Sequence, residues 1–228
     1  MFLPSPTADM PLGVPFPGTP YTDYKQPNWV GYLHRTWPGE RPLIVYDFAQ
    51  GGDTVQNMQQ KVEEAYRKLV TSTCILGEHW NSATSLFGSI HGEDGAQALI
   101  SNIFQRVETT YDTGARAFLF IDVPPVGKIP TVVVSPQTSE RIGSICTMWN
   151  QRMKEGITKF SDDHSDVQCY QFSSHDILDD ILTRPTKYGF TEADATKRGG
   201  AIWVDHIHIT SAVHKILASK ILELLKTI

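Results

Sequence analysis

Asp205 and His208 are the residues best placed to do chemistry in this 228-residue chain. They lie in Trp203-Val204-Asp205-His206-Ile207-His208-Ile209-Thr210, immediately before an apolar helical run. An acid three residues before a histidine, on one turn, can hold the imidazole through Nδ1 and stabilise its charged form. The other ring nitrogen then serves as a general base toward a hydroxyl nucleophile. Because both partners share one short segment, fixing them costs little additional chain entropy. The usual nucleophile is a serine, and the sequence offers no serine in a persuasive setting. Ser5 stands between Pro4 and Pro6 with no strand before it, and reads as a loop residue.

Other clusters carry weaker chemistry. His206 and His208 form a His-Xaa-His pair, but no third metal ligand accompanies them, so no metal is expected. Asp162-Asp163-His164-Ser165-Asp166 is acidic but lacks the spacing and glycine of a calcium loop, and reads as a solvated loop. His214, among Val213, Ile216 and Leu217, is expected to pack rather than react. Met148 and Trp149 read as core. No cofactor is implied.

The elements that must position these groups alternate along the chain. Residues 1–28 are rich in Pro, Gly and Thr and read as irregular. Residues 29–37 predict a short helix. Residues 42–49 (PLIVYDFA) predict a buried strand ending at Gly51-Gly52, and residues 54–70 a helix. A second strand is expected over 72–76, then a helix over 96–111. The apolar run 117–123 (AFLFIDV) gives a clear strand closed by Pro124-Pro125. Residues 140–160 predict a long helix, 167–172 a strand and 212–225 the last helix. Strands alternating with helices, some strands apolar throughout, indicate an α/β sandwich with a mostly parallel sheet and no dividing linker.

In such sheets ligands sit at the carboxyl ends of strands. Gly51-Gly52-Asp53-Thr54 and Gly77-Glu78-His79-Trp80-Asn81 both follow strand candidates. A glycine there lets the backbone approach a substrate, and its N–H can help cradle an oxyanion; the plainer reading is a turn. Asp122-Val123-Pro124-Pro125 reads as a rigid exit turn.

The composition is that of an ordinary globular chain, 40% hydrophobic and 20% charged. A formal net charge of −5 gives no electrostatic case for nucleic acid or an anionic membrane. No apolar run approaches the ~20 residues of a membrane span. Three cysteines, Cys74, Cys146 and Cys169, do not make a disulfide framework; one disulfide plus a free thiol remains open. The first twenty residues lack the basic and apolar regions of a secretory signal.

Taken in order, the blocks resemble the GDSL-type, or SGNH, hydrolases. These blocks are Ala49-Gln50-Gly51-Gly52-Asp53-Thr54-Val55, Phe120-Ile121-Asp122-Val123-Pro124-Pro125-Val126, Tyr188-Gly189-Phe190 and Trp203-Val204-Asp205-His206-Ile207-His208. The chain is most similar to the fungal branch related to the acetylesterases of carbohydrate esterase family sixteen. Residues 11–18 and 27–30 resemble that family's loop after the nucleophile. The resemblance implies one flavodoxin-like three-layer sandwich over residues 1–228 and a serine-esterase mechanism. It also implies an ester substrate, a small molecule or an acylated carbohydrate, and secretion. It assigns His208 as base, Asp205 as its orienting acid, and Gly52 as an oxyanion donor. The family's asparagine donor falls at His79 by position, or at Asn81 if the loop is shifted. The family's Gly-Asp-Ser-Xaa-Thr block has no counterpart. The chain is therefore expected to be N-terminally incomplete, without its first strand and nucleophile, and inactive as given. The alternative from another class is a catalytically dead member kept for binding carbohydrate or a protein.

Overall fold

The structure, a computed structural model, describes residues 22–39, 73–77 and 92–226. The expected strand at 42–49 and helix at 54–70, together with Ser5, Gly52, His79 and Asn81, lie outside those residues. By its internal contacts the chain divides into two compact units. One comprises Gly52–Gly127 and Pro136–Asp176; the other comprises Met1–Gly51, Lys128–Ser135 and Ile177–Ile228.

The first of these units is built on a parallel sheet. β1 (Thr73–Gly77), β2 (Ala117–Ile121) and β3 (Gln168–Phe172) lie in that order, with Ile75 opposite Leu119 and Leu119 opposite Tyr170. Parallel neighbours need crossover helices. These are α2 (Gly92–Asp112) between β1 and β2, and α3 (Pro136–Asp163) between β2 and β3. The α/β reading holds. Phe118 and Phe120 of β2, two residues apart, share a face. There Phe118 meets Phe160 of α3 edge-on with centroids 5.3 Å apart, and Phe120 stacks on Phe104 of α2 at 6.0 Å. Ile100, Ile103, Val107, Ile142, Cys146, Trp149, Met153 and Ile157 are buried in this unit. Met148 is only half-buried, unlike Trp149 one residue on. Cys146 and Cys169 are both free thiols, so neither forms the disulfide left open above.

The exit of β2 does more than turn. Asp122 accepts hydrogen bonds from the hydroxyls of Ser173 (2.6 Å) and Ser174 (3.1 Å) and from the His175 amide (2.8 Å). It thereby caps the start of a helix not expected from the sequence, α4 (Ser174–Thr183). Burial pushes the Asp122 carboxyl up, against the lowering effect of these three donors. Three aspartates make α4 a poor helix on propensity, but Leu178 and Ile181 are buried. The cap and the burial together outweigh the propensity.

In the other unit, α1 (Trp29–Thr36) packs against α5 (Ser211–Leu225). Asn28 caps α1 by accepting from the Gly31 amide at 3.0 Å. The cap of α5 comes from far away. Thr210 occupies its N-cap position without a side-chain cap bond, and Asp23 Oδ2 accepts the Ser211 amide at 2.6 Å instead. The Ser211 hydroxyl donates to the Pro27 carbonyl (2.7 Å) and accepts from the Tyr32 hydroxyl (3.0 Å). None of the described helices is long and apolar enough to cross a membrane.

α2 and α3 approach closely at Gly156. A β-carbon there would meet the Phe104 ring at 2.2 Å, and that ring is held by Phe120 and Phe160. Alanine would gain about 1 kcal/mol in helix propensity but overpack the contact by about 2 kcal/mol. Gly156→Ala is therefore expected to lower the melting temperature by about 2–4 °C. A calorimetric scan showing an equal or higher Tm would mean that the ring can move aside.

Candidate functional site

The segment bearing Asp205 and His208 is a short two-armed loop. Residues 201–204 run out and 208–210 run back. The arms are tied by the Val204 amide to the His208 carbonyl (2.8 Å) and the Thr210 amide to the Ile202 carbonyl (2.9 Å), with an antiparallel bridge between Trp203 and Ile209. The Thr210 hydroxyl, not needed as a helix cap, donates to the Ala201 carbonyl at 2.6 Å. Ile202, Trp203 and Ile209 are buried. The arms are thus anchored by apolar burial, and the tip, Asp205-His206-Ile207, is left at the surface. His206 is exposed there, and the Thr131 amide donates to its carbonyl at 3.3 Å.

Asp205 closes the tip. Its Oδ1 accepts the amides of Ile207 (2.7 Å) and His208 (2.8 Å), which fixes the turn. Its Oδ2 lies 2.7 Å from His208 Nδ1. Both side chains are about two-fifths exposed. Partial burial pushes the Asp205 carboxyl up, but the His208 amide, the His208 ring and the Ile207 amide outweigh it, and the value falls to about 2. The group is then a carboxylate above pH 4 and can only accept. Nδ1 must carry the proton between them, and the neutral ring holds its lone pair at Nε2. That is the tautomer a general base requires.

No protein-family model matches the chain. Among curated proteins it is similar to an acetylesterase of Thermothelomyces thermophilus, 23% identical over 244 residues that cover 95% of this chain and 80% of that protein. Two GDSL esterase/lipases of Arabidopsis thaliana match over shorter spans. One is 30% identical over 116 residues, covering 47% of this chain and 31% of the relative. The other is 23% identical over 154 residues, covering 56% and 44%. The chain is thus similar to GDSL-type esterases. It spans most of the acetylesterase but less than half of either plant relative.

Solved structures share the fold of the chain. It superposes on an α/β hydrolase from the metagenome of Lake Arreo, Spain, with a TM-score of 0.57, 14% identity and coverage of 87% and 79%. It superposes on a psychrotrophic esterase of a Pseudoalteromonas species at 0.53, with 14% identity and coverage of 88% and 86%.

Of the four site residues read from the sequence, the structure brings Asp205 and His208 together, while Gly52 and Asn81 lie outside the described residues. Sequence reasoning missed Asp194, which anchors the outward arm. Thr191-Glu192-Ala193-Asp194 has the capping-box pattern that could have flagged it. It also missed Asp23, for which no local pattern exists.

The depressed Asp205 value sets a pH signature. Because the folded value lies below the ordinary one, the stability it contributes is complete above about pH 4 and is lost as pH falls through about 2. The stability gap between the wild type and Asp205→Asn should therefore narrow progressively as the pH falls below about 4. Denaturant melts at each pH measure it, and a gap that persists unchanged to pH 2.5 would contradict the assignment.

Proposed function

We propose that the chain carries the acid–base half of a serine-esterase site and that its substrate class is acylated carbohydrate. His208 is the general base and Asp205 orients it. A serine would attack the ester carbonyl and pass its proton to His208 Nε2, which would return it to the leaving alcohol. Gly52 and Asn81 are the proposed oxyanion donors. One observation carries the reading: the 2.7 Å contact of Asp205 Oδ2 with His208 Nδ1, with Oδ1 of the same carboxylate locked onto two backbone amides. The acetylesterase likeness along 95% of the chain supports an ester substrate; the carbohydrate part of the proposal rests on the resemblance of the sequence blocks to the family-sixteen acetylesterases.

A second reading, binding without turnover, is favoured by two features of the sequence. The 228 residues contain no Gly-Asp-Ser sequence, and His79 stands where the family has its asparagine donor.

Deacetylation of acetylated xylo-oligosaccharides and of a chromogenic acetate ester separates the readings. The 228-residue protein alone is expected to show no turnover above its His208→Ala variant, since losing the serine of such a triad costs roughly a millionfold. Turnover that disappears in His208→Ala would place a nucleophile within these residues, with Ser5 the first to replace. A Gly-Asp-Ser strand from an acetylesterase, fused ahead of Met1, should then confer turnover. That turnover should be abolished by His208→Ala and reduced by about ten-thousandfold in Asp205→Asn. If the fused protein folds and binds the oligosaccharide but turns nothing over, the binding reading is the right one.

A further inference from the structure

We propose that Asp194 is a positioning residue that holds Asp205 and His208 in register, acting through Ala201 and the paired arms of the loop. The inference rests on the esterase reading above for its functional meaning, but its geometry is independent of it.

Asp194 lies in a single 3-10 turn, Glu192–Ala195, ahead of the outward arm. It is buried, with 8% of its surface exposed. Oδ2 accepts the Thr191 amide (2.8 Å) and the Thr191 hydroxyl (2.6 Å). Oδ1 reaches across seven residues to accept the Ala201 amide at 3.0 Å. The first two bonds build the turn, and the third clamps the turn to the arm. Gly200 makes the clamp feasible, because a β-carbon there would meet Asp194 Oδ1 at 2.8 Å and the Lys197 carbonyl at 2.9 Å. The Ala201 amide and the donors of Thr191 hold the carboxyl down at about 2, so Asp194 stays an acceptor at working pH.

From Ala201 the restraint passes residue by residue. The Ala201 carbonyl takes the Thr210 hydroxyl, the Ile202 carbonyl takes the Thr210 amide, Trp203 bridges Ile209, and the Val204 amide binds the His208 carbonyl. The same turn supplies a second anchor, since the Trp203 indole N–H donates to the Ala195 carbonyl at 2.9 Å. Every link from Ala201 to the tip is a short hydrogen bond or a buried side chain. Because these links are tight, a displacement of Ala201 on release of the carboxylate clamp would be carried along the arms to the Val204–His208 bond, and so to the angle at which Asp205 meets the imidazole. Misplacing a catalytic group by about 1 Å can cost about a hundredfold in rate.

The test reads the hydrogen bond directly, in the 228-residue protein, by the downfield proton NMR signal of His208 Nδ1–H. The wild type should show this signal and Asp205→Asn should lose it. Asp194→Asn presents an amide N–H to donors that need an acceptor, and should broaden or abolish the signal while circular dichroism and a cooperative melt show the fold retained. Gly200→Ala, which crowds Oδ1 without removing it, should weaken the signal partially and serves if Asp194→Asn does not fold. In a catalytically competent fusion, Asp194→Asn should lower kcat at least about tenfold with KM within about twofold. A folded Asp194→Asn protein with a lower Tm but an unchanged Nδ1–H signal would overturn the proposal and leave Asp194 a stabilising residue only. A wild type without the signal, indistinguishable from Asp205→Asn, would overturn the pairing and this inference with it. A fusion carrying the Gly-Asp-Ser strand that folds and keeps the signal but shows no esterase activity would sink the esterase reading alone.

Discussion

The Asp205 carboxylate divides its two oxygens between backbone and ring, and the local architecture follows from that division. One oxygen accepts two consecutive amides and so dictates the turn; the other meets the imidazole. A carboxylate already committed to the backbone cannot rotate away from the ring without breaking three hydrogen bonds at once. Charge-assisted bonds of this kind are roughly twice as strong as neutral ones. The price of exposure, at two-fifths for each side chain, is that water competes for the same oxygens. The arms compensate by burying Ile202, Trp203 and Ile209 beneath the tip. The pair is thus held from below by apolar packing and from within by one acceptor.

The same device recurs elsewhere in the chain. Asp122 takes two hydroxyls and an amide at the end of β2, and Asp194 takes a hydroxyl and two amides ahead of the outward arm. Asp180 gathers Lys187, Arg184 and Tyr188, which fastens the turn ending at Gly189. Gly189 needs to be glycine because its φ is +83°, in the left-handed region. Aspartate's short side chain makes it suited to such work, since it reaches neighbouring amides while losing little rotamer freedom. Where burial dominates, as at Asp122, the carboxyl is pushed up; where donors dominate, as at Asp194 and Asp205, it is pushed down.

What could be read from the sequence was what is local. Asp205 and His208 are three residues apart, so their meeting needs only one turn. The strands over 117–121 and 168–172 and the long helix of Pro136–Asp163 announce themselves by periodicity within one window. α4 did not, because its three aspartates mask the apolar positions Leu178 and Ile181, and because its cap comes from Asp122, some fifty positions earlier. Asp122 itself was legible only as a turn: its donors are serines whose proximity depends on β2 and β3 being neighbours. Thr210 shows the converse limit. It sits where a helix cap belongs and has the right chemistry, yet spends its hydroxyl on Ala201.

The cap that replaces it, Asp23 on the Ser211 amide, joins residues 188 positions apart. The Asp205–His208 turn closes over three. Loop-closure entropy grows with separation, and contacts between remote residues are made late when a chain folds. The turn that holds the imidazole is closed by bonds spanning at most three residues, whereas the first turn of α5 directly behind it is closed by Asp23, Pro27 and Tyr32 from far earlier in the chain. The start of α5, three residues from His208, thus carries the larger loop-closure cost, and a change in residues 23–32 reaches the surroundings of the imidazole through that helix end.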